Sequence, residues 1–297
     1  MSEKKVRKAI IPAAGFGTRM YPATKALKKE LLPIVDRDGR AKPIILAIIE
    51  EAVSAGIEEI GIVVQQSDRD LFQEVLKSPP QRSLWAKLSA VNRQYSQYLA
   101  ELGDRLTILI QESQEGFGHA VYCARDWVGN EPFLLLLGDH VYTTQTELSC
   151  AAQMVDIYQK YATSVIGITV MEEEVIQKAG CVAGTWQAEG EILAIAQIYE
   201  KPTLDYARQN LRVAQMAENE FLGVFGMYVL EPAIFELLEA EISNQERFKG
   251  EFQLTTCLDK LRAQQGAIGY RVRGQYYDTG MPLFYRQAVI DYYQNQF

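Results

Sequence analysis

The fold is decided near the N-terminus, by Ala9-Ile10-Ile11-Pro12-Ala13-Ala14-Gly15-Phe16-Gly17-Thr18-Arg19. The first four residues of this stretch are apolar and predict a short buried strand. The two glycines allow a tight turn and a close approach to a ligand, because glycine has no Cβ. Such a turn points N–H groups outward, and the guanidinium of Arg19 suits phosphate oxygens. The stretch therefore predicts a strand followed by a phosphate-binding loop.

The residues around the glycines exclude two better-known phosphate motifs. The dinucleotide-binding fingerprint needs a third glycine where Met20 stands, and the P-loop needs a lysine where Thr18 stands. Two glycines so spaced also occur in ordinary strand-to-loop turns, so alone they remain ambiguous. Lys25, Lys28 and Lys29 follow closely. We interpret Lys28 as a solvated surface residue.

Composition and charge limit the possible function classes. The chain has 297 residues, of which 48% are hydrophobic, and a net charge of −8. This charge argues against general nucleic-acid binding. Residues 1–42 nevertheless hold 11 Lys and Arg against 4 Asp and Glu, a local charge of +7. This basic region suits a small polyanionic ligand.

The cysteines and the apolar runs indicate the compartment. The four cysteines are scattered, lack metal-ligand spacing and are typical of free thiols in a reducing cytoplasm. The apolar stretch after the basic N-terminus is too short for a signal peptide, and no apolar run approaches the length of a membrane span. We therefore expect a cytoplasmic protein with no membrane partner.

The order of the predicted elements indicates an α/β fold. A helix over 44–55 and a strand over 60–64 complete a βαβ unit, with the glycine loop at the carboxyl end of its first strand. The run 133–137 is apolar at every position and predicts a central strand, which Gly138-Asp139-His140 ends. Further on, short strands are expected at 180–184 and 192–195, and a turn at 276–280. The polar stretch 203–218 suggests a flexible loop or lid.

Seven motifs in one order carry a family resemblance. They are Ala-Ala-Gly-x-Gly-Thr-Arg, Ala-Thr-Lys-Ala-x-x-Lys-Glu-x-Leu-Pro, Gly-x-Gly-His-Ala, Leu-Gly-Asp, Glu-Lys-Pro, Gly-Glu-x-Gln-Leu-Thr and Tyr-Asp-Thr-Gly. Together they resemble the sugar-1-phosphate nucleotidyltransferases over about residues 6–290. The stretches 23–26 and 116–120 favour the uridylyl branch over the thymidylyl branch.

The resemblance implies a fold and a domain organisation. We expect a Rossmann-like α/β fold with a mixed, mostly parallel sheet flanked by helices, and a sugar-binding subregion in the C-terminal half. Residues 1–297 would form one domain. About 1–145 would be its nucleotide-binding half, about 146–280 its sugar-phosphate-binding half, and 281–297 a closing helix.

The resemblance also implies a reaction. The uridylyl branch transfers a uridylyl group from UTP to glucose 1-phosphate, which gives UDP-glucose and pyrophosphate with Mg²⁺ as cofactor. We further expect a homo-oligomer. Two alternatives stay open: a nucleotidyltransferase that uses dTTP or another sugar phosphate, and a non-catalytic nucleotide-sugar-binding regulatory subunit. The presence of Arg19, Lys29, Asp139 and Asp278 argues against the second.

The site residues follow from the resemblance, motif by motif. Arg19 and Lys29 would be the catalytic cations that hold the departing pyrophosphate, and Asp139 and Asp278 would bind the metal. The whole nucleotide-binding set is Ala13, Ala14, Gly15, Gly17, Thr18, Arg19, Lys29, Gln111 and Gly116, of which the last two would read the pyrimidine. The sugar-phosphate-binding set is Gly180, Glu200 and Lys201.

Three positions depart from the family pattern. His140 stands where a second aspartate is usual, and we expect it to orient a neighbour or lie at the surface rather than bind metal. Residues 37–42 extend a link that is usually short, and Met227 replaces a common arginine. These departures bear on the choice of sugar or base more than on the class of reaction.

Overall fold

The computed structural model describes residues 5–188 and 190–294. The β-strands are β1 Lys8–Pro12, β2 Pro33–Val35, β3 Ala41–Pro43, β4 Glu59–Gln65, β5 Leu106–Gln111, β6 Phe133–Leu136, β7 His140–Thr143, β8 Val165–Glu172, β9 Gly180–Ala188, β10 Ile192–Glu200, β11 Glu220–Leu230, β12 Ile268–Arg271 and β13 Gln275–Asp278. The α-helices are α1 Ile44–Ser54, α2 Arg69–Lys77, α3 Arg82–Trp85, α4 Ala90–Asp104, α5 Phe117–Tyr122, α6 Arg125–Val128, α7 Cys150–Tyr161, α8 Leu204–Asn210, α9 Ile234–Ser243, α10 Leu254–Gln265 and α11 Pro282–Gln294.

A nine-stranded sheet runs through both halves of the chain in the order β5-β4-β1-β6-β11-β8-β12-β10-β9. The predicted mixed α/β fold with flanking helices is confirmed. The parallel pairs gather in β5-β4-β1-β6, which holds three of the four parallel neighbouring pairs, and the fourth joins β8 and β12. The other four neighbouring pairs are antiparallel. The reason is the connections: helices cross between the early strands, whereas only three residues separate β9 from β10.

The central strand β6 is buried on both faces, as its continuous apolar sequence predicts. Its residues are all 0% exposed. Leu134 and Leu136 belong to the core that includes residues of α1 and α7. Phe133 and Leu135 belong to the core on the opposite face, which includes residues of α9 and α10. The sheet therefore holds the carboxyl ends of its parallel strands rigidly at one edge.

Several elements differ from the sequence predictions. The predicted turn at 276–280 begins as strand β13, which pairs antiparallel with β7 so that Asp278 stands opposite His140. The strands predicted at 180–184 and 192–195 are nine residues each, β9 and β10. The predicted loop or lid at 203–218 contains the helix α8, whose first turn the Thr203 hydroxyl caps. The extension at 37–42 lies in the β2–β3 hairpin.

The predicted closing helix is present as α11, which ends at Gln294, and residues 295–297 lie outside the described part of the chain. Within the described residues, no helix combines the length and the apolar character that crossing a membrane requires.

We expect Leu135→Ala to lower the free energy of unfolding by about 2–5 kcal/mol, because it opens a cavity in a closed core. Leu84→Ala is the matched control, since Leu84 is 53% exposed, and it should cost less than about 1 kcal/mol. Urea unfolding of the two variants measures both values. Equal losses would contradict the central position of β6.

Candidate active site

The predicted site residues come from the carboxyl edge of the parallel strands. The first glycine loop follows β1, Gln65 and Gln111 end β4 and β5, and Asp139 follows β6. In open α/β sheets this edge is where ligands bind. The spatial order of the strands therefore brings three of these segments, the glycine loop, Gln111 and Asp139, to one cleft.

The first glycine loop takes a shape that only glycine adopts easily. Gly17 has a φ of +66°, in the left-handed region, and precedes a 3-10 helix over Thr18–Met20. A Cβ on Gly15 would lie 3.4 Å from Nζ of Lys29, so the backbone there faces the ammonium group directly. The loop therefore turns tightly beside a buried cation, as its sequence predicts.

Two glutamine side chains hold this loop at one carbonyl. Nε2 of Gln65 donates to the oxygen of Ala14 at 2.8 Å, and Nε2 of Gln114 donates to the same oxygen. Sequence reasoning missed both residues. The one available signal was the position of Gln65 at the end of a parallel strand, where polar side chains face the ligand edge.

The cleft beside the loop has a volume of about 510 Å³. Its lining includes the predicted nucleotide-site residues Ala14, Gly15, Gly17, Thr18, Arg19, Lys29, Gln111 and Gly116, together with Asp139. Ala13 is not among the lining residues: it is 1% exposed, and its N–H donates to the Val63 carbonyl at 2.7 Å. The structure thus gathers the predicted nucleotide set around one cavity, with Ala13 packed beneath it.

Each predicted catalytic cation is paired with a predicted metal-binding carboxylate. Nζ of Lys29 lies 2.6 Å from Oδ2 of Asp139, and Nη1 of Arg19 lies 3.2 Å from Oδ2 of Asp278. Lys29 and Asp139 are mostly buried, whereas Arg19 is 55% exposed at the cleft mouth. The site therefore contains two ion pairs, one mostly buried and one partly exposed.

Burial and ion pairing shift the pKa values of Lys29 and Asp139 in opposite directions. Burial alone would raise the pKa of Asp139, but the Lys29 ammonium and a hydrogen bond from His140 hold that pKa well below its usual range. Burial likewise lowers the pKa of Lys29, and Asp139 and Glu30 more than compensate, so its pKa is raised. Both groups are therefore charged at neutral pH. Burial also raises the pKa of the adjacent Glu30 carboxyl to about 7.

The two aspartates fit a divalent cation bound through oxygens. Asp139, His140 and Asp278 each offer a ligand atom, and these atoms lie within 4.8 Å of one another. A Cβ on Gly280 would lie 2.7 Å from Oδ2 of Asp139 and 2.9 Å from Oδ1 of Asp278, so this glycine leaves the space between them open. Two carboxylates with room for phosphate and water oxygens match the preference of Mg²⁺.

The backbone around the two aspartates is fixed by the Asp-Thr-Gly motif. The N–H and Oγ1 of Thr279 both donate to the Asp139 carbonyl, at 2.8 and 2.7 Å. The N–H of Gly280 donates to Oδ1 of Asp278 at 3.0 Å. The motif was visible in the sequence, but nothing local indicated what its threonine and glycine contact.

His140 orients a neighbour, which is one of the two roles predicted for it. Its Nδ1 lies 3.1 Å from Oδ1 of Asp139, and its ring stacks on Tyr276 with 5.1 Å between ring centroids. The side chain is only 12% exposed, so it does not lie at the surface. Met227, another departure from the family pattern, is fully buried.

Gln111 lies beside a second glycine loop, which contains Gly116 and Gly118, and its amide nitrogen is already engaged. Nε2 is 3.2 Å from the Gly116 carbonyl oxygen and 3.0 Å from Nδ1 of His119. Gly116 has a φ of +112° and is packed against the backbone of Phe252. The amide nitrogen of Gln111 is therefore engaged within the protein, and its carbonyl oxygen is left as an acceptor. Of the two roles expected of this amide towards a pyrimidine, donor and acceptor, the acceptor role is the one left open.

The predicted sugar-phosphate residues form a second cluster, separate from the lining of the cleft. Glu200 ends β10 opposite Gly180, and its Oε1 lies 3.1 Å from Nζ of Lys201. Lys201 has a φ of +48°, a left-handed conformation that is uncommon for residues other than glycine.

Lys28, interpreted from the sequence as a solvated surface residue, is 20% exposed, and its Nζ lies 2.5 Å from Oδ2 of Asp68. That interpretation is therefore wrong, because Lys28 forms a mostly buried ion pair.

Comparisons with known proteins identify the family. The sequence profile of the nucleotidyl transferase family matches residues 8–295. A UTP–glucose-1-phosphate uridylyltransferase of Bacillus subtilis is 39% identical over 290 residues, which cover 97% of this chain and 91% of that relative.

Solved structures agree with this result. A UDP-glucose pyrophosphorylase complexed with UDP-glucose is 31% identical, with a TM-score of 0.77 over 97% of this chain and 99% of that one. A UTP-bound UGPase from Acinetobacter baumannii is 29% identical, with a TM-score of 0.76 over 97% of this chain and 93% of that one. The resemblance seen in the seven motifs is confirmed, and the chain belongs to the nucleotidyl transferase family.

Proposed function

We propose that this protein transfers the uridylyl group of UTP to glucose 1-phosphate, giving UDP-glucose and pyrophosphate. The observation that carries the proposal is the pairing of Lys29 with Asp139 and of Arg19 with Asp278 at the glycine-loop cleft. The matched relatives, named for this activity, support the choice of substrates. The relevant chemistry is phosphoryl transfer, which depends on positioning and charge stabilisation.

The proposed reaction needs no general base. An oxygen of the glucose 1-phosphate forms a bond to the α-phosphorus of UTP, and the bond from that phosphorus to the bridging oxygen breaks. The bridging electron pair leaves with pyrophosphate. A phosphate dianion is already nucleophilic, so the protein must align the two phosphates and stabilise the departing charge.

The nucleotide side of this proposal uses the residues of the cleft. The loop backbone from Ala14 to Thr18 approaches the nucleotide, with Ala13 packed beneath it, and Arg19 and Lys29 bind the β- and γ-phosphates as pyrophosphate departs. Gln111 and Gly116 face the pyrimidine. Asp139 and Asp278 would hold Mg²⁺, which supplies positive charge next to the reacting phosphates.

The sugar side uses the second cluster. Lys201 holds the sugar phosphate for in-line attack, Glu200 accepts hydrogen bonds from sugar hydroxyls, and Gly180 leaves space for the sugar ring.

We also propose one domain with two substrate-binding halves. The free cysteines support a cytoplasmic location, and exposed apolar residues on α11, such as Leu283 and Ile290, support a homo-oligomer.

A substrate panel tests the proposed function. We expect the highest kcat/KM for UTP with glucose 1-phosphate, measured as pyrophosphate release from several NTPs against several sugar 1-phosphates. Chelation of divalent cations should abolish release, and Mg²⁺ should restore it. A preference for dTTP or another sugar phosphate would favour the first alternative. Binding of nucleotide sugars with no release from any pair would favour the non-catalytic one.

Asp139→Asn should lower kcat by at least about a hundredfold, because it removes a charge that stabilises the reacting phosphates through the bound cation. Asp126→Asn is the matched control, since the Asp126 side chain is 88% exposed. Thermal unfolding checks that both variants fold. Near-normal turnover by the Asp139 variant would refute the metal assignment.

Arg19→Ala and Lys201→Ala should affect opposite substrates. A lost charge-assisted contact of more than about 2 kcal/mol should lower kcat/KM for UTP more than about thirtyfold in the Arg19 variant. The Lys201 variant should lose use of glucose 1-phosphate first. Arg82→Ala, on the exposed helix α3, is the control. Steady-state kinetics with each substrate varied would show reversed assignments as reversed effects.

A further inference from the structure

The motif Gly250-Glu251-Phe252-Gln253-Leu254-Thr255 has no assigned role in the proposed reaction. In the structure, its last two residues begin helix α10, which packs along β10. Thr255 thus lies in the first turn of α10, next to the residue that ends β10. That residue is Glu200, the proposed acceptor for sugar hydroxyls.

Thr255 and Lys201 hold the Glu200 carboxylate from two directions. Oγ1 of Thr255 donates to Oε2 of Glu200 at 2.7 Å, while Nζ of Lys201 lies 3.1 Å from Oε1. The Glu200 side chain is only 13% exposed. Its carboxylate is therefore held at both oxygens rather than free to rotate in solvent.

The absent side chain of Gly180 keeps this arrangement open. A Cβ on Gly180 would lie 3.3 Å from Oε2 of Glu200 and 3.7 Å from Oγ1 of Thr255. A carboxylate has about four acceptor positions, and Thr255 and Lys201 engage one on each oxygen. The remaining acceptor positions are available to hydroxyl donors.

The position of Thr255 is itself fixed on both sides. Further along α10, Oδ1 of Asp259 accepts the N–H of Ile198 on β10 at 2.9 Å. Before the helix, the N–H of Phe252 donates to the Glu115 carbonyl at 2.8 Å, and the N–H of Gly118 donates to the Phe252 carbonyl at 2.9 Å. The segment that carries Thr255 is therefore anchored to the second glycine loop on one side and to β10 on the other.

We propose that Thr255 is a positioning residue that orients the Glu200 carboxylate towards the hydroxyls of the sugar phosphate and so contributes to discrimination between sugar epimers. The proposal rests on the proposed function, in which Glu200 contacts the sugar. The chemistry is geometric: a carboxylate fixed at one angle favours one arrangement of vicinal hydroxyls, whereas a freely rotating one adapts to several.

The test compares variants that keep or lose the hydroxyl. Thr255→Val keeps the shape of the side chain, and Thr255→Ser keeps the donor. Thr256→Val is the matched control, because Oγ1 of Thr256 binds Glu241 at 3.0 Å instead of Glu200. Calorimetric titrations with UDP and with UDP-glucose separate the contribution of the sugar from that of the nucleotide.

For Thr255→Val we expect UDP-glucose binding to weaken about tenfold and UDP binding to stay unchanged, since one hydrogen bond to a charged group is lost. Its KM for glucose 1-phosphate should rise, its KM for UTP should not, and its preference for glucose over galactose 1-phosphate should fall. The Ser variant should stay within about twofold of wild type, and the Thr256 variant should match wild type.

The opposite results would overturn the proposal. Equal losses of UDP and UDP-glucose binding would indicate a structural role, and equal losses in the Val and Ser variants would exclude the hydroxyl. If the Val variant unfolds, Thr255→Ala provides the same comparison without a second methyl group. If the wild-type protein binds UDP-glucose selectively but releases no pyrophosphate, the proposed reaction is wrong. The comparison of UDP and UDP-glucose binding would still test the role of Thr255.

Discussion

The candidate active site depends on the antiparallel pairing of two short strands, β7 and β13. This pairing sets Asp278 opposite His140 and thus beside Asp139, although nearly half the chain separates the two aspartates. Gly280 is required at the same point, because any Cβ there would occupy the space between the two carboxylates. Without the pairing, Asp139 would have no second carboxylate beside it, and Arg19 would lose its ion-pair partner.

The sequence predicts the parts of the fold that local patterns encode. The apolar run 133–137 indicates a doubly buried strand, and a charged residue directly after it indicates the ligand edge of a parallel sheet, where Asp139 lies. Strand β13 was not predictable in this way, because Tyr276-Tyr277-Asp278 becomes a strand only through its pairing with β7. Ion-pair partners that are distant in sequence were not predictable either: Lys28 is interpreted as a surface residue because its sequence gives no sign of the ion pair with Asp68. The antiparallel half of the sheet follows from its connections, which residue periodicity does not specify.

The two proposed substrate regions are joined by a segment that makes backbone hydrogen bonds to the second glycine loop and side-chain hydrogen bonds to β10. The strand-like segment before α10 bonds to the second glycine loop, and α10 bonds to the end of β10. The backbone around Phe252 packs so closely against Gly116 and Gly118 that neither position has room for a Cβ. One continuous segment therefore contacts both the second glycine loop and Glu200.

The ion pairs of Lys29 and Arg19 have a consequence for selectivity. In this structure the two proposed phosphate-binding cations are each already paired with a carboxylate of the protein. A simple anion that takes one of these cations leaves a carboxylate behind without a counter-ion, which is costly for a buried group such as Asp139. A polyphosphate that arrives with its own divalent cation replaces both partners at once. Under the proposed function, counter-ions would be exchanged on binding, and sulfate, inorganic phosphate and metal-free triphosphates would be disfavoured because they bring no cation to replace Lys29 or Arg19 beside the carboxylates.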